Sequence, residues 1–178
     1  QITLPLVRRD PHYFLPTTGS RHLLIGSDQA QLAAQFRQFF SERDYRAHLE
    51  LQRELGALRD DIAPTWLEPP VSIEETAARH VRPELRDTFI ALCRGSVGAY
   101  LDRFGFESPL LSAMYAVTDG YSGCSGTWGT PGTGMNFLVH NLCRLPGSDG
   151  TWMLARGGMG SVSAAFAAEL FRAGGKLL

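Results

Sequence analysis

Short apolar runs open the chain, and the period of the pattern then changes. ITLPLVRR and RHLLIGSD flank YFLPTTGS, in which Thr18-Gly19-Ser20 reads as a turn, so residues 2–26 are expected to form two or three antiparallel strands. From Asp28, a good N-cap, Leu32, Phe36, Phe39 and Phe40 recur at helical spacing. A second helix is expected after Ser41, with Tyr45, Leu49, Leu55 and Leu58 as its apolar stripe until Pro64. Its dense charges, Glu42, Arg43, Asp44, Arg46, Glu50, Arg53 and Glu54, read as a solvated face with i,i+4 pairs such as Arg46 with Glu50. After Pro69-Pro70, Ser72-Ile73-Glu74-Glu75 is a capping box that opens a third helix. Pro83 starts a longer helix through Phe89, Leu92, Val97 and Leu101, ending near Gly105, and Ser108-Pro109 starts another toward Met114 and Val117. Beyond a glycine-rich loop at 120–134, MNFLVHNLCRL reads as helix, TWMLA as a short strand, and SVSAAFAAELFRAGG as a helix opened by GGMG. Strands first, helices in the middle and a strand-to-helix step at the end predict an α+β fold, a small and mostly antiparallel sheet with a helical cluster, in a single domain over residues 1–178.

Composition narrows the function classes. With 178 residues, 44% of them hydrophobic and 20% charged, the chain is long and apolar enough to bury a core. A formal net charge of -1 gives no concentrated positive surface, which argues against nucleic acid and against anionic membranes as partners. No apolar run approaches the about 20 residues that cross a bilayer. The first residues, QITLPLVRRD, have neither the charged leader nor the apolar core of a signal peptide. Cys93, Cys124 and Cys143 are widely spaced with no C-x-x-C, so neither a disulfide framework nor a metal site is expected, and a reducing cytoplasm fits. A start at Gln1 inside a strand-like run and an end at GGKLL read as a piece of a longer protein.

The chemistry-bearing candidates cluster around glycine. The loop GYSGCSGTWGTPGTG contains the spacing G-x-x-x-x-G at Gly129 and Gly134, but Met135-Asn136 follows where a phosphate-binding loop needs Lys and Ser or Thr. A collagen reading fails too, because the period is short and the intervening residues are not proline-rich pairs. What remains is a long loop whose glycines permit close backbone approach, with Pro131 to stiffen it and Tyr121 and Trp128 to offer flat apolar surface. It serves a ligand or a companion domain, or else packs on its own domain. The turn Gly157-Gly158-Met159-Gly160 follows a strand and opens a helix, the setting in which glycine amides meet a cofactor, though Gly158-x-Gly160-x-x-Ser163 departs from the dinucleotide fingerprint at its third position. Asn136, His140 and Cys143 share a helical face without an orienting acid. Asp119, beside apolar Met114, Tyr115 and Val117, is either an acid/base candidate or a cap for the loop's amides. His12 and His22 lie in the strand region and ask for no function.

Taken together, Ala116-Val117-Thr118-Asp119-Gly120, Thr130-Pro131-Gly132-Thr133-Gly134-Met135, Val139-His140, Gly150-Thr151-Trp152 and Gly157-Gly158-Met159-Gly160 resemble the phytoene-desaturase-like flavoproteins. The likeness is nearest to their pyridine nucleotide-disulfide oxidoreductase domain-containing branch. It covers about the last third of the chain, and the N-terminal strand stretch is similar to the same family's substrate-domain strands. The resemblance implies a two-domain flavoprotein in which an FAD domain of Rossmann type is interrupted by a substrate or cap domain, this chain being mostly that inserted domain. It implies FAD as cofactor of the parent protein, touched here by Gly157, Gly158, Met159 and Gly160. It further implies an apolar, lipid-like or polyene substrate near Tyr121, Trp128, Pro131, Gly132, Gly134, His140 and Trp152. The family's N-terminal glycine fingerprint and C-terminal FAD segment are not in these residues, so the chain alone is expected neither to hold FAD nor to be active. No catalytic base is assigned. The expected partners are the missing FAD domain, the small-molecule substrate and a second copy of the chain; the alternative is a non-catalytic interaction module that uses the loop 120–134.

Overall fold

The computed structural model describes residues 2–142 and 153–177. Three short strands come first: β1 (Leu6–Arg8), β2 (Tyr13–Pro16) and β3 (His22–Ile25). β2 and β3 form an antiparallel hairpin in which Leu15 faces Leu23, and Gly19 takes the positive φ of 74° that the connecting turn requires. β1 does not join them. It pairs antiparallel with β4 (Met153–Ala155), so the architecture is α+β with two separate two-stranded sheets in place of one small sheet.

The helices begin where capping chemistry places them. The Asp28 carboxylate accepts from the Gln31 amide at 2.9 Å and starts α1 (Gln29–Phe39). Ser41 does the same for α2 (Glu42–Ile62), and the Ser72 hydroxyl accepts from Glu75 N at 3.1 Å to open α3 (Ile73–His80). The long helix expected after Pro83 is instead a 3-10 turn, then α4 (Arg86–Arg94), a break at Gly95, and α5 (Val97–Leu101). Gly95 turns its carbonyl outward, where it accepts from Gly132 N and Gly134 N, and Ser96 caps a fresh helix through Ala99 N. After Gly105, left-handed at φ 62°, come α6 (Pro109–Tyr115), a π turn over 116–120, α7 (Thr133–Leu142) and finally α8 (Met159–Arg172).

The core lies among α1, α2, α4, α5, α6 and α7, with α7 packed against α2, α4, α5 and the π turn. Phe36, Leu51, Leu58, Val97, Leu101, Leu111 and Phe137 are wholly buried within it. Three expectations about α2 change. Its buried stripe runs Asp44, His48, Leu51, Leu55, Leu58 and Ile62, while Leu49 is 43% exposed. Asp44 is not solvated, because its carboxylate accepts from the Glu107 and Ser108 amides and fixes the start of α6. Arg46 reaches Glu42 at 3.7 Å, one turn back, and not Glu50. Among the described residues no helix is long and apolar enough to cross a membrane.

β1, β4 and α8 add no buried residue to this core. β1 is exposed along its length, no residue of α8 is buried, and Leu6, Leu154, Met159, Phe166 and Phe171 all present apolar surface. A two-stranded ribbon and a fourteen-residue helix draw little stability from their own hydrogen bonds.

Candidate functional site

The glycine loop is laid against its own domain. Gly98 N donates to Trp128 O at 3.1 Å, Gly132 N to Gly95 O at 2.8 Å, and Val97 N to the Thr133 hydroxyl at 2.9 Å. These bonds explain the glycines at three contact points. A Cβ at Gly134 would overlap the Leu92 carbonyl oxygen, one at Gly98 the Trp128 carbonyl, and one at Gly120 would press on Val97. Asn136, at the start of α7, closes the other side by donating to the carbonyls of Asp119, Gly120 and Ser122 at 3.2, 3.0 and 2.7 Å. Gly134→Ala is therefore expected to cost about 1–3 kcal/mol in urea unfolding, the usual penalty for overpacking. Gly129→Ala, where nothing lies within 4 Å, provides the comparison and should stay within about 0.5 kcal/mol of wild type.

A cavity of about 480 Å³ opens on a different side of the molecule. The strand region contributes Arg9, His12, Tyr13, Ile25 and Gly26. This wall is set by Asp10, which accepts from Ser27 N at 2.8 Å and from the Ser27 hydroxyl, so that residues 9–12 are pinned beside the end of β3. Those bonds hold the Asp10 carboxyl below the usual carboxylate range. α1 and α2 supply Gln29, Leu32, His48, Leu49, Gln52 and Arg59. The far wall is Met114, Tyr115, Thr118 and Asp119, with Asn141 from α7. The π turn matters here, since the extra residue it admits carries Thr118 and Asp119 on the stretch that joins α6 to the glycine loop.

Polar groups in the cavity are organised in pairs. His48 Nδ1 and the Tyr115 hydroxyl lie 2.5 Å apart, both buried. Burial pushes the His48 imidazolium down to about 4 and the Tyr115 phenol up, so both are neutral near pH 7. Thr118 Oγ1 donates to the Tyr13 hydroxyl at 3.0 Å, tying the π turn to β2. Asn141 Nδ2 donates to Asp119 Oδ2 at 3.0 Å, while its carbonyl accepts from Arg59 Nε at 2.8 Å. Half-burial lowers the Arg59 guanidinium pKa. The arrangement can seat a molecule with polar and apolar parts in a partly dry space, within the size range of ordinary small-molecule sites.

Of the residues singled out in the sequence, Asp119 lines this cavity; Tyr121, Trp128, Pro131, Gly132, Gly134 and His140 do not. Tyr121 is partly buried against the core, and Trp128 lays its indole over Gly98 of α5 while remaining 37% exposed. Cys143, Gly150, Thr151 and Trp152 lie outside the described residues. The turn Gly157, Gly158, Met159, Gly160 opens α8 as expected, with positive φ at Gly157 and Gly158 and open space around Gly158 and Gly160. That geometry suits one edge of a cofactor, yet β4 runs antiparallel to β1, and the described residues contain no parallel strand pair to form a dinucleotide crevice. They also contain no group of three or more His, Cys, Asp or Glu arranged to hold a metal ion. Sequence reasoning missed His48, Arg9 and Arg59, and read His12, which lines the cavity, as asking for no function. One signal was present: Asp44 and His48 continue the 3-4 spacing of Leu51, Leu55, Leu58 and Ile62, which places both on the buried stripe.

No family model matches the chain, and no solved structure matches it. It is similar to the mouse (Mus musculus) pyridine nucleotide-disulfide oxidoreductase domain-containing protein 2, with 30% identity over 193 aligned positions that take in 93% of this chain and 32% of that protein, so the chain spans about a third of the length of the curated relative it matches.

Proposed function

We propose that the chain is the substrate-binding part of an FAD-dependent oxidoreductase of the phytoene-desaturase-like kind, whose FAD domain lies elsewhere in a longer parent protein. The observation that carries the reading is the similarity to an oxidoreductase-domain protein along 93% of this chain. The cavity of about 480 Å³ supports it as a place to hold a small molecule. Further support comes from the unburied faces of β1, β4 and α8, which are the right kind of surface for an FAD domain to cover.

When bound, the flavin would accept a hydride equivalent from the substrate. The residues of this chain bind, orient and desolvate. Ile25, Leu32, Leu49 and Met114 give the apolar wall, and the neutral His48 and Tyr115 pair offers polar edges without adding charge. The glycine turn 157–160 leads toward the flavin edge, and Trp128, Pro131 and Gly132, exposed on the loop, offer surface to the substrate or to the companion domain. Buried Cys93 and exposed Cys124 are both free thiols, which suits a reducing compartment.

A parent protein that includes this chain, incubated with FAD and passed through gel filtration, is expected to elute with the flavin absorbance bands. The 178-residue chain alone should elute colourless. A colourless parent would refute the reading.

A further inference from the structure

We infer that the cavity between the N-terminal strands and the helices α2, α6 and α7 takes a small molecule with an anionic head, a carboxylate or a phosphate, on an apolar body, and that Arg9 and Arg59 bind the head. The inference deepens the reading of this cavity as a substrate site and rests on it.

The argument begins with what each arginine lacks. Arg9 Nε is fully buried and has no hydrogen-bond partner. A buried guanidinium donor left unpaired is costly, so its presence at the wall of a cavity points to an acceptor that arrives from outside. Arg59 uses only Nε, toward the Asn141 carbonyl, so its terminal nitrogens stay available. Neither arginine has a carboxylate within salt-bridge reach among the described residues, in contrast to Arg37, Arg82, Arg94 and Arg103. Guanidinium groups present donors in a fork that matches carboxylate and phosphate oxygens, and half-burial strengthens each bond they make.

The other charges facing the cavity do not cancel this. Asp119 is the one acidic residue among those that line it, and its Oδ2 is engaged by Asn141. Asp60 neighbours Arg59 along α2 and is exposed. His48 is neutral near pH 7. Two arginines against one aspartate leave the cavity positive in a chain whose net charge is -1. The same cavity is lined by Ile25, Leu32, Leu49 and Met114, which would take an apolar body and exclude a fully hydrated ion.

The test is calorimetric titration of the chain with octanoate, octyl phosphate, octanol and inorganic phosphate, at low and high salt. Octanoate or octyl phosphate should bind at least about tenfold tighter than octanol, with affinity falling as salt rises. Preference between the two anions assigns the head as carboxylate or phosphate. Arg59→Gln and Arg9→Gln should each remove most of that preference, while Arg46→Gln, remote from the cavity and 78% exposed, should leave it intact. Unchanged thermal melting of the variants separates lost binding from lost folding. Octanol binding as tightly as the anions, arginine variants that bind like wild type, or no binding of any probe would each overturn the anion site. The flavin reading is judged separately by FAD uptake in the parent protein, so the two can fail independently.

Discussion

Lowering the pH from about 7 to about 4 is expected to cost this protein about 3 kcal/mol of stability through a single side chain, His48. Its side chain is 4% exposed, tilted against Phe36 and stacked on Tyr115, and burial moves its pKa from 6.5 down to about 4. Below 6.5 the unfolded chain takes up a proton that the folded chain refuses until about 4, so stability rises with pH across that window and falls as acid is added. Asp44 lies one turn before His48 on α2, and Asp119 and Arg59 face the same cavity, but the cause of the displacement is burial. Urea unfolding at stepped pH, on wild type and His48→Gln, gives the contribution by difference. Carboxylates held low by their partners, such as Asp61 beside Arg82, lose stability in acid equally in both proteins and cancel. Parallel curves for the two proteins would show that His48 is not held neutral.

The largest single-residue effect is expected at Phe36. Its side chain is wholly buried, and its ring centroid lies 5.8 Å from Phe40, 5.6 Å from Tyr45 and 5.2 Å from His48. Truncation removes the transfer free energy of the ring and leaves a void between α1 and α2, so Phe36→Ala should cost about 3–5 kcal/mol. That is a large fraction of the about 5–15 kcal/mol that holds a domain of this kind together. The same change opens a path for water to His48, so the acid sensitivity of the variant should be weaker than that of wild type. Leu67→Ala is the control, because Leu67 is 96% exposed and its loss should fall within about 0.5 kcal/mol of zero. Equal losses at the two positions would contradict the placement of the core.

What was legible in the sequence was local. Asp28, Ser41 and Ser72 each begin the helix that their side chains were expected to cap, because an N-cap is decided within three residues. The turn at Gly19, the strand at 153–155 and the helix after Gly158 followed from the same short-range rules. What could not be read depended on distant partners. Leu6 pairs with Ala155 from the far end of the chain, so no periodicity near either residue reveals that the strand region is split between two sheets. The break at Gly95 follows from the amides of Gly132 and Gly134, which claim its carbonyl. The cavity draws Arg9, His48, Arg59, Tyr115, Asp119 and Asn141 from segments that share no local motif, and of these the sequence singled out Asp119 alone as a chemical candidate. His48 was hidden in a charge-rich run, where its neighbours Arg46 and Glu50 are exposed while it points inward.

The glycine loop shows how the two kinds of information combine. Its spacing indicated close backbone approach, and the surface approached at Gly98, Gly120 and Gly134 proves to be the α4 to α5 corner and the Trp128 backbone. Glycine there lets two stretches of main chain exchange hydrogen bonds at distances a side chain would forbid. The loop thereby braces the π turn, and the π turn carries Thr118 and Asp119 to the cavity wall.

The most direct measurement is the flavin difference spectrum of the FAD-loaded parent protein as octanoate is added. If this cavity holds the substrate beside the flavin, the visible bands shift with a saturation curve that matches octanoate binding, and the shift is lost in Arg59→Gln. Octanoate that binds the loaded protein and leaves the bands of the flavin unmoved would contradict the claim that this cavity serves the cofactor.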